Sequence, residues 1–133
     1  MRPVFADTSY YMAVFNEDDV AHDEAIRFSR EIALPVVLTD FILLELANAL
    51  SRRQSRQRFV GLVSYLRSNP ACRILPISKD LFEAGLRLYA ERPDKDWSLT
   101  DCISFVAMKR LGLTDALTAD RHFEQAGFKV LLK

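Results

Sequence analysis

The chain has no net charge, almost no cysteine or histidine and no long apolar run, and each of these absences removes a class of function. Eighteen basic side chains balance eighteen acidic ones. That excludes a blanket electrostatic binder of nucleic acid and leaves a local basic patch as the only electrostatic route to one. The two cysteines, Cys72 and Cys102, sit far apart with no paired-ligand spacing. They form no disulfide framework and read as buried thiols of a reducing compartment. The two histidines, His22 and His122, also lack metal-ligand spacing, and each reads as an ordinary surface residue. No apolar run approaches the ~20 residues of a membrane span. Strand-like sequence begins within a few residues of Met1, leaving no room for a signal peptide. The expectation is a cytoplasmic protein that meets no membrane.

Half of the residues are hydrophobic and 27% are charged, the balance of a globular chain. At 133 residues it is the size of one domain and can bury roughly two-thirds of its unfolded surface. No repeat, low-complexity tract or long linker divides it, so residues 1–133 read as a single domain. Short apolar runs at Pro3–Ala6, Val36–Thr39, Arg73–Ile77, Ala116–Thr118 and Phe128–Leu132 read as strands. Between them lie helical patterns at Tyr10–Phe15, Val20–Ile32, Phe41–Leu50 and Phe59–Leu66, then from Ser78 to about Ala90, from Ser98 to Leu111 and after Asp120. Asp18, Asp19, Asp40 and Ser78 stand where helix caps are expected. This alternation predicts an α/β fold, a three-layer α/β/α sandwich whose central parallel sheet has about five short strands.

Four acids interrupt or follow the apolar runs: Asp7, Glu45, Asp101 and Asp120. Each aspartate alone has a structural explanation. Asp7 and Asp120 sit where N-caps belong, and Asp101 follows Ser98 by three residues, as in a capping box. Glu45 is harder to place, because its neighbours Ile42, Leu43, Leu44, Leu46 and Ala49 leave almost no solvent face. A buried carboxylate without partners costs several kcal/mol; the other possibility is a helix edge that reaches water at Glu45 and Asn48. If the four converge within ~5 Å, each pair repels by about 3 kcal/mol at an effective dielectric near 20. One or two Mg²⁺ or Mn²⁺ ions turn that repulsion into coordination, since oxygen-rich sites suit these ions.

Positive charge for a phosphate-bearing substrate is concentrated in Arg52, Arg53, Arg56 and Arg58, with no acid between them. The alternative is a solvated helix connection. Trp97, Tyr10 and Tyr11 are candidates for stacking unpaired bases, although for the tyrosines core or dimer packing is the favoured reading. Asp94, Asp96 and Asp115 are reserve acids, read otherwise as exposed loop charge.

Asp7-Thr-Ser at a strand end, Glu45 in a long helix, Ser98-Leu-Thr-Asp101-Cys at a helix start and Leu117-Thr-Ala-Asp120-Arg-His-Phe resemble the PIN-domain family. That family of small metal-dependent ribonucleases includes the VapC-type toxins of toxin–antitoxin pairs. The resemblance implies a parallel sheet with the acidic quartet at its carboxyl edge. It further implies Mg²⁺ or Mn²⁺ on Asp7, Glu45, Asp101 and Asp120, support from Ser9 and Thr118, and pairing as homodimers; it leaves the biological role open, and a cognate antitoxin is expected where that role is a toxin's. The expected activity is hydrolysis of RNA phosphodiesters, in single-stranded segments or loops, with Arg52, Arg53 and Arg56 as RNA contacts. Two other functions stay open: a small-phosphate hydrolase, and a metal-stabilised binding module without nuclease activity.

Overall fold

The computed structural model describes residues 2–31 and 34–132. Its five-stranded sheet comprises β1 (Val4–Ala6), β2 (Val36–Thr39), β3 (Cys72–Leu75), β4 (Asp115–Leu117) and β5 (Lys129–Val130), every pair parallel. The order is β3-β2-β1-β4-β5. The chain steps outward from β1 to β3, then returns to lay β4 on the other side of β1. Direction therefore reverses between β1 and β4, the topological switch point where open α/β sheets leave a crevice beyond their carboxyl ends. Helices cover the sheet in the three-layer α/β/α arrangement.

The helices are α1 (Thr8–Phe15), α2 (His22–Glu31), α3 (Asp40–Ala49), α4 (Arg53–Ser68), α5 (Lys79–Glu91), α6 (Leu99–Arg110) and α7 (Arg121–Gln125). Helix α1 begins two residues earlier than expected because Asp7 caps it, accepting a bond from the Ser9 amide. Ile32, the expected end of α2, lies outside the described residues. Thr39, not Asp40, caps α3: its hydroxyl accepts from the Ile42 amide at 3.1 Å, and Asp40 falls in the first turn. The arginine-rich segment, read as a connection, is the first part of α4. Arginine and glutamine are good helix formers, and no proline or glycine interrupts them.

Two features fix α6, which carries Asp101. Gly85 of α5 faces Ile103, where a methyl group would overlap Ile103 Cγ1 and come within 3.0 Å of its Cα. Only glycine allows the two helices to approach this closely. On its other side Phe105 meets Trp97 and Phe123 edge-on, with ring centroids 5.0 and 4.9 Å away. Phe123 also touches Phe5 of β1. This buried aromatic chain ties α6 and α7 to the central strand, so the residues at their N-termini are held to one edge of the sheet.

Candidate active site

Each of the three aspartates sits on an element end that its own side chain helps to form, and Glu45 reaches them from within a helix. Asp7 directly follows β1 and is buried. Its Oδ2 accepts from the Ser9 hydroxyl at 2.9 Å, the Thr118 hydroxyl at 2.9 Å and the Ser9 amide at 3.4 Å. The two hydroxyls lie 2.8 Å apart, and Thr118 Oγ1 also accepts the Asp120 amide at 3.0 Å. Ser9 and Thr118 thus stitch the end of β1 to the end of β4 through Asp7. Three oxygens in mutual contact need three protons, and the hydroxyls supply two. An ionised Asp7 leaves one contact without a proton. Burial pushes its carboxyl up to about 6, the two hydroxyls opposing and the charge of Asp101 adding.

Asp101 is the third residue of α6 and completes a capping box. The Ser98 hydroxyl accepts the Asp101 amide at 3.0 Å, and Asp101 Oδ2 accepts the Ser98 amide at 3.1 Å. Burial raises its pKa, and so do the charges of Asp120 and Glu45; the bond from the Ser98 amide and the nearness of His122 pull the other way. Asp120 caps α7, its Oδ1 accepting the His122 amide at 2.9 Å. Glu45 comes from the middle of α3, where it is half-buried, and Thr8 of α1 donates its hydroxyl to Oε1 at 2.5 Å. Neither a greasy interior nor open water surrounds this carboxylate: it looks into the cleft.

A cleft of about 420 Å³ gathers all four, lined also by Thr8, Ser9, Met12, Asp19, Asp96, Ser98 and His122. It lies at the switch point between β1 and β4. The tightest cluster differs from the expected one. Among the described residues, Asp101, Asp120 and His122 offer ligand atoms all within 4.8 Å of one another. Asp7 and Glu45 line the same cleft outside that trio, their carboxylates turned toward Ser9, Thr118 and Thr8.

His122 is therefore no ordinary surface residue. Its Nδ1 lies 3.3 Å from both Asp101 Oδ2 and Asp120 Oδ1, buried and without a hydrogen bond among the described residues. Its position two places after a capping aspartate brings only its backbone amide to Asp120; its ring meets Asp101 across two helices. His22 has a local task too, its Nδ1 lying 2.7 Å from the Ala13 carbonyl oxygen in α1. Asp96, a reserve acid, does line the cleft. The donor set fits a divalent cation: two carboxylates and an unbonded imidazole nitrogen converge, with two more carboxylates in the same cleft.

Other candidates are placed elsewhere. Arg52, Arg53 and Arg56 are exposed at the start of α4 and do not line the cleft; Arg56 donates to the Ser51 carbonyl at 2.8 Å. Trp97 is 6% exposed, its indole nitrogen donating to Gln125 at 3.0 Å, so its own faces are not free to stack a base. Tyr10 and Tyr11 are buried against each other beside an apolar cavity of about 510 Å³ between α1, α2 and α4. No described helix is long and apolar enough to cross a membrane.

Comparison with known proteins agrees with this fold. The chain is 27% identical over 125 residues to the 23S rRNA-specific endonuclease VapC20 of Mycobacterium tuberculosis, covering 94% of this chain and 95% of that one. The crystal structure of M. tuberculosis VapC20, a sarcin–ricin loop cleaving toxin, superposes with a TM-score of 0.83 at 26% identity, over 94% and 95% of the two chains. FitAcB from Neisseria gonorrhoeae (TM-score 0.66, 20% identity, 96% and 95% covered) shares the fold. So does DNA-bound VapBC from Salmonella typhimurium (0.66, 16%, 98% and 97%). Residues 4–129 match the PIN domain model, and the chain belongs to the PIN domain family.

Proposed function

We propose that this protein is a Mg²⁺- or Mn²⁺-dependent endoribonuclease, the toxin of a toxin–antitoxin pair. The observation that carries the reading is one cleft holding Asp7, Glu45, Asp101 and Asp120 at the switch point of the sheet. Near-full-length similarity to a ribosomal-RNA endonuclease supports it. Asp7, Asp101, Asp120 and His122 would hold the ion, and Glu45 would hold a second ion or its water. A divalent ion in this place lowers the pKa of bound water and neutralises charge on a scissile phosphate. The imidazole nitrogen tilts the donor set from Mg²⁺ toward Mn²⁺.

The chain's own groups orient the reaction. Thr8 pins Glu45 through Oε1, leaving Oε2 to take a proton from the attacking water. Ser9 and Thr118 hold Asp7 Oδ2, so Oδ1 would be the oxygen it offers to an ion. The capping box fixes Asp101 through the Ser98 amide and hydroxyl. The substrate is RNA in single strands or loops, whose unstacked backbone reaches a shallow cleft more readily than a duplex does. A cognate antitoxin partners the protein in the cytoplasm. Exposed Leu44, Phe82 and Leu86 on α3 and α5 support a homodimer.

Incubation with purified ribosomal RNA and with a mixed RNA pool, with Mn²⁺ or EDTA, tests the reading. Discrete cleavage that needs Mn²⁺ and disappears in Asp7→Asn is expected. Turnover of a chromogenic phosphomonoester without RNA cleavage would instead establish the small-phosphate hydrolase. Metal-dependent stabilisation without any hydrolysis would establish the binding module.

A further inference from the structure

A second cavity, of about 470 Å³, adjoins the acidic cleft at Asp96, which lines both. Its other walls include Tyr89, Arg92, Lys95, Trp97 and Cys102. Cys102 follows Asp101 in α6, so the first turn of that helix belongs to both cavities. The neighbour supplies what the acidic cleft lacks: cationic side chains and flat surfaces.

Arg92 is the C-cap of α5, and its guanidinium carbon lies 5.1 Å from the centroid of the Trp97 ring. Its Nε and Nη2 each donate to Asp94 at 3.0 Å, a two-point bond along one edge. The indole beneath is immobilised by Gln125 and Phe105. One face of the guanidinium is covered, its edge is tethered, and the side chain remains 41% exposed. An ion pair this exposed adds little stability; its effect is to fix a plane. Tyr89, three residues earlier on the helix, adds a second aromatic wall and is 49% exposed. A held guanidinium plane beside an aromatic ring is a platform for an unstacked base.

We propose that this cavity is an RNA subsite, in which Arg92 and Tyr89 hold the base of a nucleotide flanking the scissile phosphate while Lys95 meets its phosphate. The proposal rests on the reading of the acidic cleft as an RNA-cleaving centre. It assigns base recognition to the loop between α5 and α6.

Steady-state cleavage of a short single-stranded RNA with Mn²⁺ is compared between wild type and Arg92→Lys, which keeps the charge but loses the plane. Loss of one stacked base corresponds to roughly a tenfold rise in KM, with kcat altered by less than about twofold. An abasic site at the flanking nucleotide should cost wild type at least that factor and cost Arg92→Lys less than it costs wild type, because the two changes share the Arg92 contact. Trp97 is the only tryptophan, so its fluorescence reports from the floor of the cavity when the same RNA is added in EDTA. A fluorescence change that the abasic RNA fails to produce is expected. An unaltered KM in Arg92→Lys, or penalties that multiply, would overturn the subsite while leaving the nuclease intact. A wild type that cuts no RNA with any divalent ion removes the nuclease reading, and the subsite with it.

Discussion

The acidic cleft and the arginine-rich start of α4 both stand out as charged segments, yet the fold treats them in opposite ways. In the cleft, Asp7, Asp101 and Asp120 each bind backbone amides at a helix start, and Glu45 is held by a hydroxyl. Their positions are set before any ligand arrives. Arg52, Arg53 and Arg56 lie exposed at the start of a helix, with only Arg56 tied to backbone among the bonds described, through the Ser51 carbonyl. Backbone-tied charges give geometry, whereas solvated long side chains give field, which salt screens. The first region should tolerate no substitution in function, and the second should tolerate nearly all.

The largest expected contrast is in turnover. Asp101→Asn keeps an oxygen for the Ser98 amide, so the helix start is preserved while one carboxylate charge is lost from the tight cluster. Cleavage should fall on the order of a hundredfold or more, the scale of losing one preorganised electrostatic contact in a catalytic site. Arg53→Ala should change it by less than about threefold, given the modest worth of exposed charge. Cleavage rates at saturating Mn²⁺ decide the matter. Equal losses in the two variants would mean that preorganisation is not what separates the regions.

Next in size is the stability that the cleft sacrifices. Asp7 ionises near 6 in the folded protein against an ordinary 3.8, so between those values the native state binds more protons than the unfolded state. Stability therefore falls as pH rises through this window, by on the order of 3 kcal/mol from Asp7 when fully ionised. In EDTA, Asp7→Asn should melt above wild type at pH 7.5, and the gap should close by pH 4. Adding Mn²⁺ should stabilise wild type more than the variant, since binding to the native state alone raises its stability. A variant that melts at or below wild type at pH 7.5 would show that the carboxylate carries no such burden.

Much of this cleft could be read from the chain because its residues serve two purposes. Asp7, Asp101 and Asp120 lie at strand ends and helix starts, where local capping rules and metal chemistry agree on the same side chain. The layered parallel sheet followed from short apolar runs separated by helices, for the same local reason. His122 was misread because its role depends on α7 returning its ring to Asp101, a residue of another helix. Thr8 went unnoticed as the partner of Glu45 because that contact spans 37 positions. Trp97 is a stacking candidate in the sequence alone, but Phe105 and Gln125 reach it once α6 and α7 have packed. What escaped was in each case a pairing between elements, which periodicity does not encode.

The smallest effect should appear in the arginine segment, and its dependence on substrate length is the telling quantity. Arg53 and Arg56 lie outside the cleft, at the start of the helix that follows the one carrying Glu45. An RNA confined to the cleft cannot use them, whereas one extending past it can. Each phosphate neutralised on a single strand adds ~0.7 to the slope of log affinity against log salt. For a long RNA, the Arg53→Ala/Arg56→Ala protein should therefore lose about 1.4 from that slope. For an RNA of only a few nucleotides the slope should be unchanged. An equal loss with both lengths would place the arginines at the cleft after all, and no loss with either would leave them as solvated helix charge.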